Sequence, residues 1–335
     1  MRVINYAAAI REAHAQLLDA DERVFLIGQG LWSPWYAGSS LKDLDRQFGQ
    51  ERIFDSPVSE NATTSAAIGA AIAGMRPIVF HPRMDFMLLA VDPIVNQAAN
   101  WSYVFGGQIP VPVVIRAVIN RRGEQGAQHS QALQAMYAHV PGLKVVMPAT
   151  PYDAKGLLIA AVRDGNPVLY IDDRVLYEQT GDVPEEMYEV EIGQAAIRRV
   201  GRDVTIVATS AMVPEACQAA DVLAECGIDA ELIDLRSITP WDKNCVLSSV
   251  AKTGRLVVVD AAWKKAGFAA EVSATVVSEA FEALRAPIQR VCLPDAPAPA
   301  ATVMEGAYYI TVDDIVAAVG CTLGETNSRR MQRAG

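Results

Sequence analysis

Short apolar runs alternate with helical stretches along the first half of the chain. Five of these runs are rich in β-branched residues and apolar at successive positions: Val24–Gly28, Pro77–Phe80, Val111–Ile115, Leu143–Met147 and Pro167–Ile171. Runs without polar alternation are typical of parallel strands that helices cover on both faces. The pattern predicts an α/β domain built on a doubly wound sheet.

This rhythm breaks between Asp173 and Gly193, where the chain becomes acidic and contains proline and glycine. It then restarts with three more apolar runs, Val204–Ala208, Ala230–Asp234 and Arg255–Asp260. A chain of 335 residues is long enough for two domains. We therefore predict a first domain over residues 1–180, a linker over 181–192, a second, smaller α/β domain over 193–321 and a polar tail over 322–335.

Composition and charge exclude several classes of protein. Charged residues make up 20% of the chain and its formal net charge is −10, which argues against binding to nucleic acid or to anionic membranes. The first residues lead directly into an amphipathic helix, and no apolar run reaches the roughly 18 residues of a membrane span. We expect a soluble, cytoplasmic protein.

The cysteines and histidines do not have the spacing of metal ligands. None of the five cysteines forms a Cys-x-x-Cys pair, and the four histidines lack the His-Glu-x-x-His pattern. We expect reduced thiols and no transition-metal site built from this chain alone.

One carboxylate stands at a predicted strand-to-helix junction. Glu60 follows the run that begins at Phe54, and it precedes a helix of small residues that extends to Gly74. On residue types alone, Glu60 is a first-turn charge behind a Ser59 cap, which would stabilise the helix by roughly 0.3–1 kcal/mol. A helix this uniform in side-chain size is expected to pack closely on every face.

Seven ordered blocks give this junction a context: Asp55–Glu60, Gly74–Pro77, Asp92–Ala99, Gly106–Gln108, Ala127–Gln131, Pro141–Val146 and Pro151–Leu158. Together they resemble the beta subunit of the thiamine-diphosphate-dependent first component of 2-oxo acid dehydrogenase complexes. This is the pyruvate, branched-chain and acetoin group, which is related to the latter half of transketolase. The resemblance extends to about Val319 and implies a transketolase-like pyrimidine-binding domain followed by a transketolase C-terminal domain.

The resemblance assigns roles to three side chains. Glu60 matches the family glutamate that hydrogen-bonds to the aminopyrimidine ring of thiamine diphosphate and activates the cofactor. Phe86 matches an aromatic residue that packs against the pyrimidine. His129 matches a histidine near the reactive end of the cofactor, whose imidazole can donate or accept a proton; the alternative is a loop histidine bonded to a neighbouring carbonyl.

Two metal ions are also implied by the resemblance. A structural potassium ion in the family is held at positions that match Val113, Ala161, Val162, Asp164 and Asn166 here, although an Asp-Gly-Asn turn alone would explain the last two. The Gly-Asp-Gly and later Asn that bind the diphosphate through magnesium in related enzymes do not occur in this sequence. The resemblance therefore implies that an alpha subunit supplies them, in an α2β2 heterotetramer with its active site at a subunit interface.

In its first domain, the sequence departs from the family that it resembles at three places. Gln29 stands where the family has a glutamate, so a proton relay through that acid is removed. His81 and Arg83 replace apolar or small residues ahead of Phe86, and we expect one of them to meet an anionic substrate group or the alpha subunit. The loop Asn120–Gly126 carries more charge than expected of an entry for a lipoyl arm; a solvated loop is the alternative.

The resemblance implies decarboxylation of a small 2-oxo acid, followed by acyl transfer to the lipoyl group of a lipoyl acyltransferase. One rival is a split transketolase or carboligase that passes its unit to an aldehyde or another acceptor. A second rival, from a different class, is a non-catalytic scaffold partner that keeps the fold.

Overall fold

The computed structural model describes residues 2–33 and 39–323. Residues 324–335, which make up most of the predicted polar tail, lie outside the described ranges. The chain forms two compact units: the first extends to Ile192 and includes Ile238–Pro240, and the second comprises Gly193–Ser237 and the chain from Trp241 onward. The five cysteines all lie within the described ranges and are free thiols.

The first unit alternates strands and helices. Its strands are β1 (Arg2–Asn5), β2 (Val24–Gly28), β3 (Ile53–Asp55), β4 (Arg76–His81), β5 (Val114–Ile119), β6 (Lys144–Val146), β7 (Val168–Asp173) and β8 (Thr180–Val183). Its α-helices are α1 (Tyr6–Ala20), α2 (Leu44–Phe48), α3 (Glu60–Ile72), α4 (Asn100–Val104), α5 (Gln134–Ala138) and α6 (Pro151–Arg163). The described part of this unit also contains 3₁₀ turns at Phe86–Ala90 and Arg174–Leu176 and a π-helical segment at Pro93–Ala99.

The second unit repeats the alternation on a smaller scale. Its strands are β9 (Ala196–Arg199), β10 (Val204–Ala208), β11 (Ala230–Asp234), β13 (Leu256–Trp263) and β14 (Gln289–Leu293). The short strand β12 (Ser237–Thr239) lies between β11 and β13 in the chain but belongs to the sheet of the first unit. Its helices are α7 (Met212–Glu225), α8 (Lys243–Thr253), α9 (Phe268–Ala280), α10 (Thr302–Tyr308) and α11 (Val312–Thr322), with a 3₁₀ turn at Phe281–Ala283.

Each unit is built on one open sheet, and the predicted α/β class is confirmed. The first has the strand order β12-β6-β7-β5-β4-β2-β3, in which the pairs from β6 to β3 are parallel. The second has the order β14-β13-β10-β11-β9, with β9 antiparallel at its edge. A separate antiparallel ribbon joins β1 to β8, so the first residues of the segment predicted as a linker lie in a strand.

The third predicted run begins earlier than the strand it contains. The apolar pattern starts at Val111, whereas β5 begins at Val114. Pro110 and Pro112 explain the difference, because neither can donate the N–H that a ladder position in a central strand requires.

Charged groups lie inside the first sheet. Arg116 of β5 is fully buried and makes two hydrogen bonds, of 3.1 and 2.8 Å, to the carboxylate of Asp172 on β7. The guanidinium also donates to Ser40 and Tyr177 and lies 5.1 Å from the centre of the Phe80 ring. Burying two charges is costly unless each is fully paired, and here the pairing is nearly complete.

Helix α3 has one buried and one exposed face. Its inner face contains Thr63, Thr64, Ala67, Ile68 and Ala71, and the opposite face exposes Asn61, Ala62, Ser65, Ala66 and Gly69. The expectation of close packing on every face is therefore not met within this chain. Small exposed side chains allow another surface to approach the helix backbone.

Removing the charge of Arg116 tests how strongly the fold depends on the buried pair. We expect Arg116→Met to lower the free energy of unfolding by about 3–5 kcal/mol, because it leaves a buried carboxylate without its partner. Urea unfolding followed by circular dichroism measures the change. The matched control is Arg46→Met at the exposed Arg46–Asp43 pair, for which less than about 1 kcal/mol is expected. Equal losses at the two positions would contradict the conclusion that Arg116 and Asp172 form a buried pair on which the fold depends.

Candidate active site

The turn between β3 and α3 is tied to the loop that follows β2. Gly28 and Asp55 pair across the two parallel strands, and the Ser56 N–H donates to the Gly28 carbonyl at 2.8 Å. The Asp55 carboxylate accepts from the N–H groups of Gly30 (2.6 Å) and Leu31 (3.3 Å). Gln29 is therefore held beside the turn that leads to Glu60.

Glu60 is the first residue of α3 and is half-buried. The side chain of Ser59 makes no capping hydrogen bond within the described part of the chain, so the predicted serine cap is not formed there. The Ser59 carbonyl instead accepts from Thr63, as in the first turn of a regular helix.

A cleft opens between three loops at this edge of the sheet. It is lined by Gly28 and Gln29 after β2, by Ser56, Pro57, Ser59, Glu60 and Thr63 around the start of α3, and by Phe80, His81 and Pro82 at the end of β4. The lining is uncharged apart from the Glu60 carboxylate, because His81 is neutral. The Glu60 carboxylate is thus the one charged acceptor that this lining presents.

His81 is only 2% exposed, and its Nε2 atom lies 3.0 Å from the hydroxyl of Thr64. Burial lowers the pKa of His81 to about 4, since the charged imidazolium loses its hydration. At neutral pH this side chain therefore carries no positive charge. Of the two residues predicted to meet an anion, Arg83 is the one that is charged.

Phe86 and His129 lie in contact. Phe86 opens the 3₁₀ turn after β4, and His129 belongs to the long loop after β5. Their ring centres are 5.2 Å apart with an interplanar angle of 81°, an edge-to-face arrangement that aromatic rings favour. The structure thus brings together two of the side chains that the resemblance selected.

Hydrogen bonds join the loops that carry these two rings. The Asn120 side chain donates to the Pro82 carbonyl at 3.0 Å, and the Met84 N–H donates to the Val118 carbonyl at 2.9 Å. Gln131 donates both its main-chain N–H (3.2 Å) and its side-chain amide (2.9 Å) to one oxygen of Asp85. Sequence reasoning missed Asp85, Asn120 and Gln131 as site residues, although it had marked the segments that contain them.

The predicted charged loop is only partly solvated. Arg121 is 6% exposed, and its Nε atom lies 2.5 Å from the buried carboxylate of Asp173. Arg122 and Glu124 are exposed. Arg83 is half-buried and donates to the Pro82 carbonyl at 2.9 Å.

Four of the five residues matched to the potassium site already have hydrogen-bond partners. The Asp164 carboxylate accepts from the Asn166 N–H and side-chain amide at 2.9 Å each, and from Lys144. The Val113 carbonyl accepts from the Val168 N–H at 3.0 Å, and the Val162 carbonyl from Arg76 at 2.6 Å. A carbonyl oxygen has a second lone pair, so the Val113 and Val162 carbonyls could still bind an ion. The Asp164 carboxylate has little remaining capacity, because it already accepts three hydrogen bonds.

The described residues contain no cluster of three or more His, Cys, Asp or Glu side chains arranged to hold a metal ion. Within the same ranges, no helix combines the length and apolar character needed to cross a membrane.

Two family models match the chain, one on each side of Gly193. The model for the transketolase pyrimidine binding domain matches residues 2–179, and the model for the transketolase C-terminal domain matches residues 193–315. The first match contains Glu60, Phe86 and His129.

Curated relatives cover nearly the whole chain. The acetoin:2,6-dichlorophenolindophenol oxidoreductase subunit beta of Cupriavidus necator is 43% identical over 332 residues, which is 96% of this chain and 98% of that protein. The pyruvate dehydrogenase E1 component subunit beta of Rickettsia felis is 41% identical over 316 residues, 94% and 97% of the two chains. Among solved structures, a split-gene transketolase in an inactive β4 tetramer superposes with a TM-score of 0.79 at 22% identity, covering 94% of this chain and 97% of that one. This last likeness shows the fold alone.

The buried state of His81 predicts a specific dependence of stability on pH. The pKa is about 4 in the folded chain and 6.5 in its ordinary state, so the unfolded chain binds more protons between these values. The free energy of unfolding therefore falls as the pH is lowered through this window and is fully restored above it. We expect His81 to lower the free energy of unfolding by about 2 kcal/mol at pH 5 relative to pH 8.

Comparing urea unfolding of the wild type and His81→Gln at these two pH values measures the difference. The variant should lose that part of the pH dependence. The control His139→Gln changes an exposed histidine and should behave like the wild type. An unchanged pH dependence in His81→Gln would mean that His81 is not held neutral by the fold.

Proposed function

We propose that this chain, which belongs to the transketolase-like family of dehydrogenase beta subunits, forms half of the active site of an enzyme that decarboxylates a small 2-oxo acid. The cofactor is thiamine diphosphate, and an alpha subunit supplies the other half of the site. The observation that carries the proposal is the cleft in which Glu60 is the charged lining residue, within the segment matched by the pyrimidine-binding model.

The residues of the cleft fit the pyrimidine ring of the cofactor. Bound thiamine diphosphate supplies a carbon nucleophile for the 2-oxo group and an electron sink for decarboxylation. With the cofactor bound, the Glu60 carboxylate would accept a hydrogen bond from a ring nitrogen and so favour the reactive protonation state. Phe80 contributes an apolar wall to the same cleft, and neutral His81 adds a polar group without a competing charge.

Phe86 and His129 act on the side of the site where the reacting groups lie. The face of Phe86 would shield the pyrimidine from water, and its edge-to-face contact with His129 restrains the imidazole. His129 then donates or accepts a proton during acyl transfer. We assign Arg83 to a carboxylate of the substrate or to the alpha subunit, because its guanidinium is charged where His81 is not.

The relatives suggest the substrate class and the acceptor. One is named for acetoin oxidation with 2,6-dichlorophenolindophenol and another for pyruvate dehydrogenation. We propose a short 2-oxo acid or a 2-hydroxy ketone as substrate and the lipoyl group of an acyltransferase as acceptor. Gln29 cannot relay a proton, so the rival carboligase, in which the bound unit passes to an aldehyde, is tested beside the dehydrogenase.

An alpha subunit covers the exposed apolar surface near the site. Leu88 and Leu89 of the 3₁₀ turn after Phe86 are 39% and 65% exposed, and Tyr103 of α4 is 90% exposed. Large apolar side chains this exposed support an interface with another chain. Magnesium enters with the diphosphate-binding residues of the alpha subunit, and we propose the α2β2 assembly on the same grounds. A cytoplasmic location is proposed separately, and the five free cysteines support it, because thiols stay reduced there.

Replacement of the Glu60 carboxylate tests the proposed function. In the complex reconstituted with the alpha subunit, Glu60→Gln should lower kcat at least about 100-fold, since it removes a charge-assisted hydrogen bond to the cofactor. Turnover is measured with pyruvate or acetoin and three acceptors: a lipoyl domain, 2,6-dichlorophenolindophenol and an aldehyde. The control Glu51→Gln changes an exposed glutamate and should keep wild-type activity.

The acceptors separate the rival functions. Reduction of the lipoyl domain supports the dehydrogenase, whereas carbon–carbon bond formation without lipoyl reduction would establish the carboligase. Full activity in Glu60→Gln would leave only the scaffold role.

Potassium removal tests the second proposed ion. We propose that potassium binds the main-chain oxygens around Asp164 and stiffens the turn after α6, beside the Lys144 ion pair. At constant ionic strength, replacing choline with potassium should raise Tm by a few degrees and sodium should raise it less, because only the folded chain presents these oxygens. Identical Tm values in all three salts would leave Lys144 and Arg76 as the cations of this turn.

A further inference from the structure

The loop that carries His129 is attached to the rest of the first unit at several points. Close to its base, the hydroxyl of Ser130 donates to the Asn120 carbonyl at 3.1 Å, which fastens the loop to the end of β5. Gln131 fastens it to a different loop, because both of its donors bond to Asp85 after β4. The second attachment spans 46 residues of sequence.

Asp85 is the immediate neighbour of Phe86, and Gln131 is two residues beyond His129. The two aromatic rings in contact are therefore flanked by the carboxylate and the amide that hold their loops together. Aligning a catalytic group within a fraction of an ångström is worth up to about 100-fold in rate. The hydrogen bonds between Asp85 and Gln131 are placed to provide this alignment.

Burying the Asp85 carboxylate costs free energy. The residue is 5% exposed, and its Oδ2 atom is buried without a hydrogen-bond partner among the residues that the structure describes. Its Oδ1 atom accepts both bonds from Gln131. A carboxylate used on only one oxygen in a buried site stabilises a fold poorly, and such groups call for a functional explanation.

We propose that Asp85 is a positioning residue for the reaction: through Gln131 it holds the loop of His129 so that the imidazole stays against Phe86. This inference rests on the proposed function, in which His129 moves a proton during acyl transfer. Asp85 itself touches neither cofactor nor substrate in this account. Its effect on the rate passes entirely through His129.

A double-mutant cycle in the complex with the alpha subunit tests whether Asp85 affects the rate through His129. Asp85→Ala should lower kcat by about 10- to 100-fold in the wild-type background and by less than about 3-fold in the His129→Ala background. KM for the 2-oxo acid and the Kd of thiamine diphosphate, measured by fluorescence quenching, should change less than about 3-fold. The control Asp19→Ala removes an exposed carboxylate and should have no effect in either background.

If Asp85→Ala does not fold, a second test exchanges the acid and the amide between positions 85 and 131. Gln131→Glu places a second carboxylate against Asp85 and should lower kcat as Asp85→Ala does. Adding Asp85→Asn to Gln131→Glu restores a donor and an acceptor on each side and should recover at least about one third of the lost rate.

Three outcomes would overturn the inference: an equal loss from Asp85→Ala with and without His129, a loss that appears as weaker cofactor binding, or no recovery in the exchanged pair. These outcomes differ from those expected if the proposed function itself is wrong. If it is wrong, the wild-type complex would not turn over 2-oxo acids or 2-hydroxy ketones, or Glu60→Gln would be fully active.

Discussion

Parallel pairing of β3, β2, β4 and β5 is the constraint on which the site depends. Gly28 is in register with Asp55 on one side and with Phe80 on the other, and His81 is in register with Ala117. Because the carboxyl ends of these strands meet at one edge, the loops that follow them must lie side by side there. Glu60 and His81 reach a common cleft for this reason, and Phe86 reaches His129.

The interior of the first unit is polar where it supports that edge. Arg116 and Asp172 form a buried pair between β5 and β7, and the guanidinium also lies over Phe80, which lines the cleft. Such a pair adds little net stability compared with apolar side chains, yet it tolerates the loss of neither partner. His81 lines the same cleft in its neutral form, so Glu60 is the charged side chain of the lining.

The sequence pattern was sufficient for the fold class and for the position of Glu60, since apolar runs of strand length and a strand-to-helix junction are local signals. The resemblance selected Phe86 and His129, which the structure places in contact, and their roles stay predictions. Other features could not be predicted, because they depend on contacts between distant segments. The bonds from Gln131 to Asp85 span 46 residues, and Arg121 lies in a loop that reads as solvated until its partner on β7 is known. The exposed small face of α3 shows the limit of periodicity, which cannot distinguish burial within one chain from burial against another.

The central claim is that this chain holds one half of a cofactor site and the alpha subunit holds the other. Calorimetric titration of thiamine diphosphate with magnesium into the beta chain alone, the alpha chain alone and their complex tests it most directly. The account predicts saturable binding only in the complex, with an affinity that falls when Glu60 is replaced by glutamine. Binding to the isolated beta chain with the affinity of the complex would contradict it.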